Sequence, residues 1–181
     1  MVKLIEGAVY LGKIICIPNE EAAQKRDEAF LKGDYPPFPG FPILTDGVLY
    51  QPGENDLAGQ LSLQSEVECD GKIGLFDDLI GHGWMIISWN RDPKQFVHDH
   101  EEFLEKIDAK CVQVTKEKSD SPDHVVDVTG KYEAYFKEHQ VEAIVVRPDF
   151  NIYAGVSEMK ELPTIMESLK SDLKTTVAVG S

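Results

Sequence analysis

The 181 residues carry 32 acidic against 18 basic side chains, a net charge of -14, with 42% hydrophobic content. That charge repels phosphate backbones and anionic headgroups, so neither nucleic acid nor a membrane surface is an expected partner. Apolar runs such as Ile14 to Ile17 and Trp84 to Ile87 fall far short of the roughly 20 residues that cross a bilayer, and the hydrophobic content suits one domain with an extension.

Met1-Val2-Lys3-Leu4 lacks the pattern of a secretory leader, which makes the cytoplasm the expected compartment. Cys16, Cys69 and Cys111 are odd in number and widely spaced, as packed thiols in a reducing compartment are. Leu4, Ala8, Leu11 and Ile15 recur at spacings of three and four and predict an amphipathic helix over Lys3 to Cys16, stopped by Pro18. Asn19 caps a second helix through Phe30, with Glu20 and Glu21 in its first turn and Gly33 beyond its end. From Gly33 to Gly53, Pro36, Pro37, Pro39, Pro42 and Pro52 alternate with aromatics and block regular hydrogen bonding, which predicts an extended connector lying on a surface.

Ser62 to Cys69 alternates, with Leu61, Leu63, Ser65 and Val67 on one face, and Asp70-Gly71 supplies a turn, so a strand or hairpin arm is expected. Ile73 to Ile80 reads as a short helix ending at Gly81. Trp84 to Trp89 is almost wholly apolar, as a central strand covered on both faces must be. Pro93 opens the next helix, which should run to about Ile107 with Phe96, Phe103 and Leu104 inward. Cys111 to Thr115 is a second strand, followed by a polar loop from Lys116 to Asp123 and a helix from Thr129 to His139 that turns Tyr132, Tyr135 and Phe136 inward. Ala143 to Arg147 and Ile152 to Val156 flank Pro148-Asp149-Phe150-Asn151 as a hairpin. Pro163 stands in the first turn of a last helix with Ile165, Leu169 and Leu173 as its buried stripe.

From Trp84 onward the order is strand, helix, strand, helix, strand, strand, helix, the outline of a thioredoxin-like α/β domain with a mixed sheet. The expected division is a helical extension over residues 1–32, the connector over 33–57, the thioredoxin-like domain over 58–175 and a loose tail over 176–181.

Several short motifs carry a resemblance. Leu44-Thr45-Asp46-Gly47-Val48-Leu49 through Ala58-Gly59-Gln60-Leu61, then Gly74-Leu75-Phe76-Asp77-Asp78, Gly81-His82-Gly83-Trp84 and Val145-Val146-Arg147-Pro148-Asp149 stand in order along the chain. They resemble the C-terminal thioredoxin-like portion of FAD-dependent aromatic hydroxylases of the 3-(3-hydroxyphenyl)propionate and phenol hydroxylase type. Ala8 to Phe30, with Leu11-Gly12-Lys13-Ile14-Ile15-Cys16 and Glu21-Ala22-Ala23-Gln24-Lys25-Arg26-Asp27, resembles the last helices of the flavin portion that precedes it. The resemblance implies a packing and oligomer-stabilising role, a homodimer or a flavin-domain partner, and FAD and NAD(P)H held outside these residues.

The chemistry usual to either scaffold is missing. A flavin cradle needs G-x-G-x-x-G between a strand and a helix, and Gly81-His82-Gly83 reaches Ile86 at the sixth position, so it reads as a turn into a strand. Gly33-Asp34 echoes a flavin-binding Gly-Asp without the flanking residues, and Asp46-Gly47 and Asp70-Gly71 are turns. Thiol exchange needs a thiolate at a helix N-terminus after the first central strand, with a proline opposite. Ser88 to Pro93 holds no cysteine there, and no proline precedes Val141-Glu142-Ala143. In His98-Asp99-His100-Glu101-Glu102 the two histidines point about 200° apart on a helix and cannot share an ion, so the cluster reads as a solvated face. His82 with Asp77-Asp78 has the residue types for acid–base work, but the acids fall in a packing helix. No Gly-x-Ser-x-Gly is present.

No catalytic, cofactor-binding or metal-binding residue is therefore assigned, and the expected function is that of a non-catalytic region of, or truncated relative of, a flavin-dependent hydroxylase. The alternative is a stand-alone binding module or subunit, also without dithiol activity.

Overall fold

The structure, a computed structural model, describes residues 2–34, 43–51, 55–118 and 124–179. The prolines of the predicted connector, Pro36 to Pro42 and Pro52, lie outside the described residues, as does most of the predicted polar loop. The chain forms two compact units, Met1–Ile43 and Leu44–Ser181.

The first unit contains α1 (Val2–Ile15) and α2 (Glu20–Leu31). Asn19 caps α2, its side-chain oxygen accepting from the Ala22 N–H at 2.9 Å. Arg26 Nη1 donates to the carbonyls of Ile14 and Ile15 at 2.8 and 3.0 Å, satisfying acceptors that the end of α1 leaves open. The expected amphipathicity leaves Ile5, Val9 and Leu31 exposed within this unit.

The second unit is a seven-stranded mixed sheet. Its strands are β1 (Glu66–Cys69), β2 (Lys72–Leu75), β3 (Met85–Trp89), β4 (Lys110–Thr115), β5 (His124–Asp127), β6 (Ala143–Val146) and β7 (Ile152–Val156), in the order β2-β1-β5-β4-β3-β6-β7. β3 runs parallel to β4 and antiparallel to β6, β6 antiparallel to β7, and β5 parallel to β4. Strands β4-β3-β6-β7 with their helices are the thioredoxin-like core read from the sequence, and the fold class stands. Because side chains alternate along a strand, Ile86 of β3 joins one core layer while Met85 and Ile87 join the other. The first layer packs beneath α7 (Leu162–Val179), through Ile165, Met166 and Leu169, and the second beneath α6 (Lys131–Glu138), through Tyr132 and Phe136.

Five expectations change. Ile73 to Ile80 is not one helix: Asp70 and Gly71 both have positive φ (50° and 77°), which closes a tight hairpin and draws Lys72–Leu75 into β2, leaving α3 as Phe76–Ile80. The helix expected from Pro93 to Ile107 is broken into α4 (Lys94–Val97), a 3-10 turn at His98–His100 and α5 (Glu101–Lys106), with non-helical dihedrals at Val97 and His100. Strand β5 was not expected; it is four residues long, with only Val125 and Val126 apolar, and is drawn into place by β4 and β1. The strand expected over Ser62 to Cys69 shortens to Glu66–Cys69. The last helix, preceded by a 3-10 turn at Met159–Glu161, continues to Val179, through most of the predicted tail.

The second unit also starts earlier than position 58. Leu49 and Leu57, expected in the connector, are buried in it.

Candidate functional site

The loop after β3 is where a thioredoxin-like scaffold presents its chemistry, at the edge of the sheet and the start of a helix. Here Asn90 takes a left-handed conformation (φ 59°) and donates its N–H to the Val114 carbonyl at 2.9 Å, so the chain turns sharply out of β3. The buried Ser88 hydroxyl donates to the Arg91 carbonyl and holds the turn from beneath. Asp92 accepts from the Lys94 N–H at 3.0 Å and so caps α4.

Arg91 leans across the Phe96 ring, its guanidinium carbon 4.7 Å from the centroid, and pairs with Glu142 at 3.2 Å. Glu142 stands immediately before β6, where a redox-active relative of this fold would carry its proline. It is bound on every side. Its carbonyl accepts from the Trp89 N–H at 2.9 Å, its N–H donates to the Val156 carbonyl at 2.8 Å, and its carboxylate accepts from the Met159 N–H at 2.6 Å. The two positions that would face each other in a thiol exchanger are thus tied to one another by an ion pair. With side chains 48% and 39% exposed, that pair is worth only about 0.2–1 kcal/mol; the Met159 N–H bond to the same carboxylate carries more.

The three cysteines form no disulfide among the described residues and stand elsewhere: Cys16 is exposed in the first unit, Cys69 is half-buried on β1, and Cys111 is buried on β4. Burial and the neighbouring Asp70 push the Cys69 thiol up, away from the reactive thiolate.

A second arrangement surrounds β7, the outer strand of the core. Residues 44–51 and 55–62 lie along its free edge. Tyr50 donates its N–H to the Tyr153 carbonyl at 3.0 Å, Gly59 to the Ile152 carbonyl at 2.8 Å, and Ile152 returns its N–H to the Gln60 carbonyl at 2.8 Å. Between them, the Asn55 side chain pairs with both backbone groups of Gly155, donating to its carbonyl at 2.8 Å and accepting from its N–H at 2.9 Å. Arg147 completes the attachment. Its Nη1 donates to the Val48 carbonyl at 2.7 Å, while Nε and Nη2 grip Asp149 at 3.1 and 2.8 Å. Burial alone would push the Asp149 carboxyl up, but Arg147 and the Asn151 N–H outweigh it and hold the group below its ordinary value. The Arg-Pro-Asp motif is therefore a clasp between the hairpin and the segment that carries Leu44 to Leu49.

The remaining singled-out residues do not converge. Gly81-His82-Gly83 enters β3 and not a helix, and Ile86 is buried in the sheet, so this segment forms no pyrophosphate cradle and does not fit a flavin. His82 and Asp78 are exposed, and Asp77 accepts a hydrogen bond from Gln64 at 2.5 Å. His98 is exposed against Asp99 at 3.3 Å, whereas His100, 6% exposed, faces Glu167 at 3.4 Å. Among the described residues no group of three or more histidines, cysteines and acids has the arrangement of a metal site, and no helix is long and apolar enough to cross a membrane. The residues that matter most to this geometry, Glu142 and Asn55, carry no sequence motif of their own.

Comparison with known proteins agrees with the geometry. A family model described as the HcaD C-terminal domain matches residues 59–172, more than half of the chain. The 3-(3-hydroxy-phenyl)propionate/3-hydroxycinnamic acid hydroxylase of Burkholderia cenocepacia (strain HI2424) is 30% identical over 125 residues, covering 62% of this chain and 23% of its own length. The hydroxylase of the same name from Shigella sonnei (strain Ss046) is 22% identical over 202 residues, covering 96% of this chain and 36% of its own. The chain thus spans between about a quarter and a third of the length of these curated relatives. Among solved structures, aklavinone-11 hydroxylase in a ternary complex with FAD and aklavinone aligns with a TM-score of 0.49 at 12% identity, over 75% of this chain and 28% of that one.

Proposed function

The chain belongs to the HcaD C-terminal domain family, and from that membership we propose that it serves as a non-catalytic thioredoxin-like module of a flavin-dependent aromatic hydroxylase, holding an assembly together. The observation that carries the reading is the loop after β3: the positions that would do redox chemistry are occupied by an Arg91–Glu142 pair whose partners are all structural. FAD, NAD(P)H and the aromatic substrate belong, on this reading, to residues other than these 181. The cytoplasm is the proposed compartment. The module acts through surfaces, and the exposed Ile5, Val9 and Leu31 of the helical pair supply apolar area for a homodimer or a flavin domain.

The test is direct. Purified protein should be colourless, should fail to oxidise NAD(P)H or reduce insulin disulfides, and should run as a dimer by light scattering; substituting Ile5 and Val9 with glutamate should shift it to monomer. A yellow protein that consumes NAD(P)H would refute the proposal, and so would a monomer that also fails to bind a flavin domain from a relative.

The alternative, a stand-alone binding module, is favoured by the same exposed helical residues. It predicts a monomer with a separate ligand or partner.

A further inference from the structure

On the face of the second unit beside α5 and α7, a cleft of about 840 Å³ opens, within the size range of small-molecule sites. Trp84, Phe103, Ile107 and Leu173 give it apolar walls. Its lining does not share the acidic excess of the rest of the molecule. Lys106, Lys170 and Lys174 outnumber Asp99 and Glu102 around it, in a chain whose net charge is -14. Lys170 lies 3.9 Å from Glu167, whereas Lys106 and Lys174 have no ion-pair partner among the described residues. His100 also lines the cleft. It is 6% exposed, and its Nδ1 makes no hydrogen bond even though a Glu167 oxygen lies 3.4 Å away. That nitrogen is closed to solvent and faces Glu167, so the imidazole forms part of the wall and the lysines supply the cleft's open polar groups.

We propose that this cleft binds a small organic carboxylate with an apolar body. The apolar walls take the body, Trp84 and Phe103 offering flat aromatic surface, while Lys106 and Lys174 reach the carboxylate with charged hydrogen bonds over their aliphatic stems. Neither charge nor apolar area would suffice alone: inorganic anions lack the body, and neutral amphiphiles leave the lysines unanswered. The proposal goes beyond the module reading above and stands without it.

The full chain is titrated calorimetrically with octanoate and with its neutral isostere octanamide. Octanoate should bind saturably at one site, and octanamide at least roughly tenfold more weakly. The exposed-residue variant Lys106→Gln/Lys174→Gln should lower octanoate affinity roughly tenfold and leave octanamide unchanged, and raising salt should do the same. Phe103→Ala should weaken both. In a Trp89→Phe background, octanoate should change the fluorescence of Trp84, which places the ligand in the cleft. No saturation up to about 5 mM, equal affinity for octanamide, an indifferent lysine variant, or binding without a Trp84 signal would each overturn the proposal.

Discussion

Asn55 does the work of a strand residue with a side chain, and removing it isolates the contribution of the segment that covers β7. Asn55→Ala deletes two hydrogen bonds, at 2.8 and 2.9 Å, to the carbonyl and N–H of Gly155. Both backbone groups sit behind Leu57, which is 3% exposed, so water replaces the lost partner poorly. A backbone group left unmade in such a place costs about 1–3 kcal/mol, and allowing for partial relaxation the expected loss is about 2–4 kcal/mol. Asn55→Asp should be no milder, since it keeps an acceptor for the Gly155 N–H but turns a second oxygen toward the Gly155 carbonyl. Urea unfolding followed by tryptophan fluorescence reads this unit selectively, because both tryptophans, Trp84 and Trp89, lie in it. An unchanged m-value with a lower midpoint is the expected form. If Asn55→Ala stays within about 0.5 kcal/mol of the parent, the side chain is not pairing with β7 as described.

The same assay should show Gly155→Ala losing roughly 1–3 kcal/mol, because an added Cβ would lie 2.9 Å from Leu57 Cδ1 and 3.2 Å from its Cβ. Glu142→Ala should cost about 2 kcal/mol by stranding the Met159 N–H as well as Arg91, whereas Glu142→Gln keeps an acceptor and should cost under about 1 kcal/mol. Asp149, whose carboxyl is held low in the folded state, contributes stability present above its unfolded value of about 3.9 and lost as pH falls through the lower folded value. The melting temperature of Asp149→Asn should therefore lie below the parent's at pH 7 and approach it as the pH falls through that lower folded value. A chain starting at residue 44 should fold by circular dichroism, while one starting at residue 58 should aggregate, since it loses the Tyr50 and Asn55 bonds that cover Tyr153 and Gly155 on the edge of β7.

The core was legible because it announces itself in apolar residues at fixed spacing. Trp84 to Trp89 reads as a buried strand from composition and Ala143 to Arg147 as a hairpin arm from its turn, and Met85 to Trp89 and Ala143 to Val146 are the strands found. Tyr132 and Phe136, one helical turn apart, fall on the inner face of α6 as expected. What escaped was set by partners distant in sequence. β5 has too few apolar residues to declare itself and exists through pairing on both sides. Ile73 is apolar but exposed, and the reading of Ile73 to Ile80 as a short helix ending at Gly81 left out that the Asp70-Gly71 turn commits Ile73 to a hairpin. Residues 44–57 looked like connector since nothing local shows that Asn55 meets a glycine 100 positions away. The missing thiols were visible in the sequence; their replacement by Arg91 and Glu142, 51 positions apart, was not.

The two edges of the sheet are each closed to further strand pairing. β7 is wholly buried and apolar, which would template association if left open, and residues 44–51 and 55–62 close it with backbone bonds, the Asn55 amide and the Arg147 clasp. At the other edge β2 is four residues long, carries Lys72 and follows a tight turn, the devices by which short edges avoid pairing. Closing one edge with its own chain and blunting the other leaves the sheet self-sufficient. Because the Arg91–Glu142 pair and the Met159 bond tie the loop after β3 to the strands and helix around it, cohesion has taken the position that reactivity would need to keep open. A thiolate requires solvent access and an unfilled face opposite; Glu142 fills that face and spends its carboxylate on the backbone. The features that stabilise this loop are the ones that exclude exchange chemistry from it.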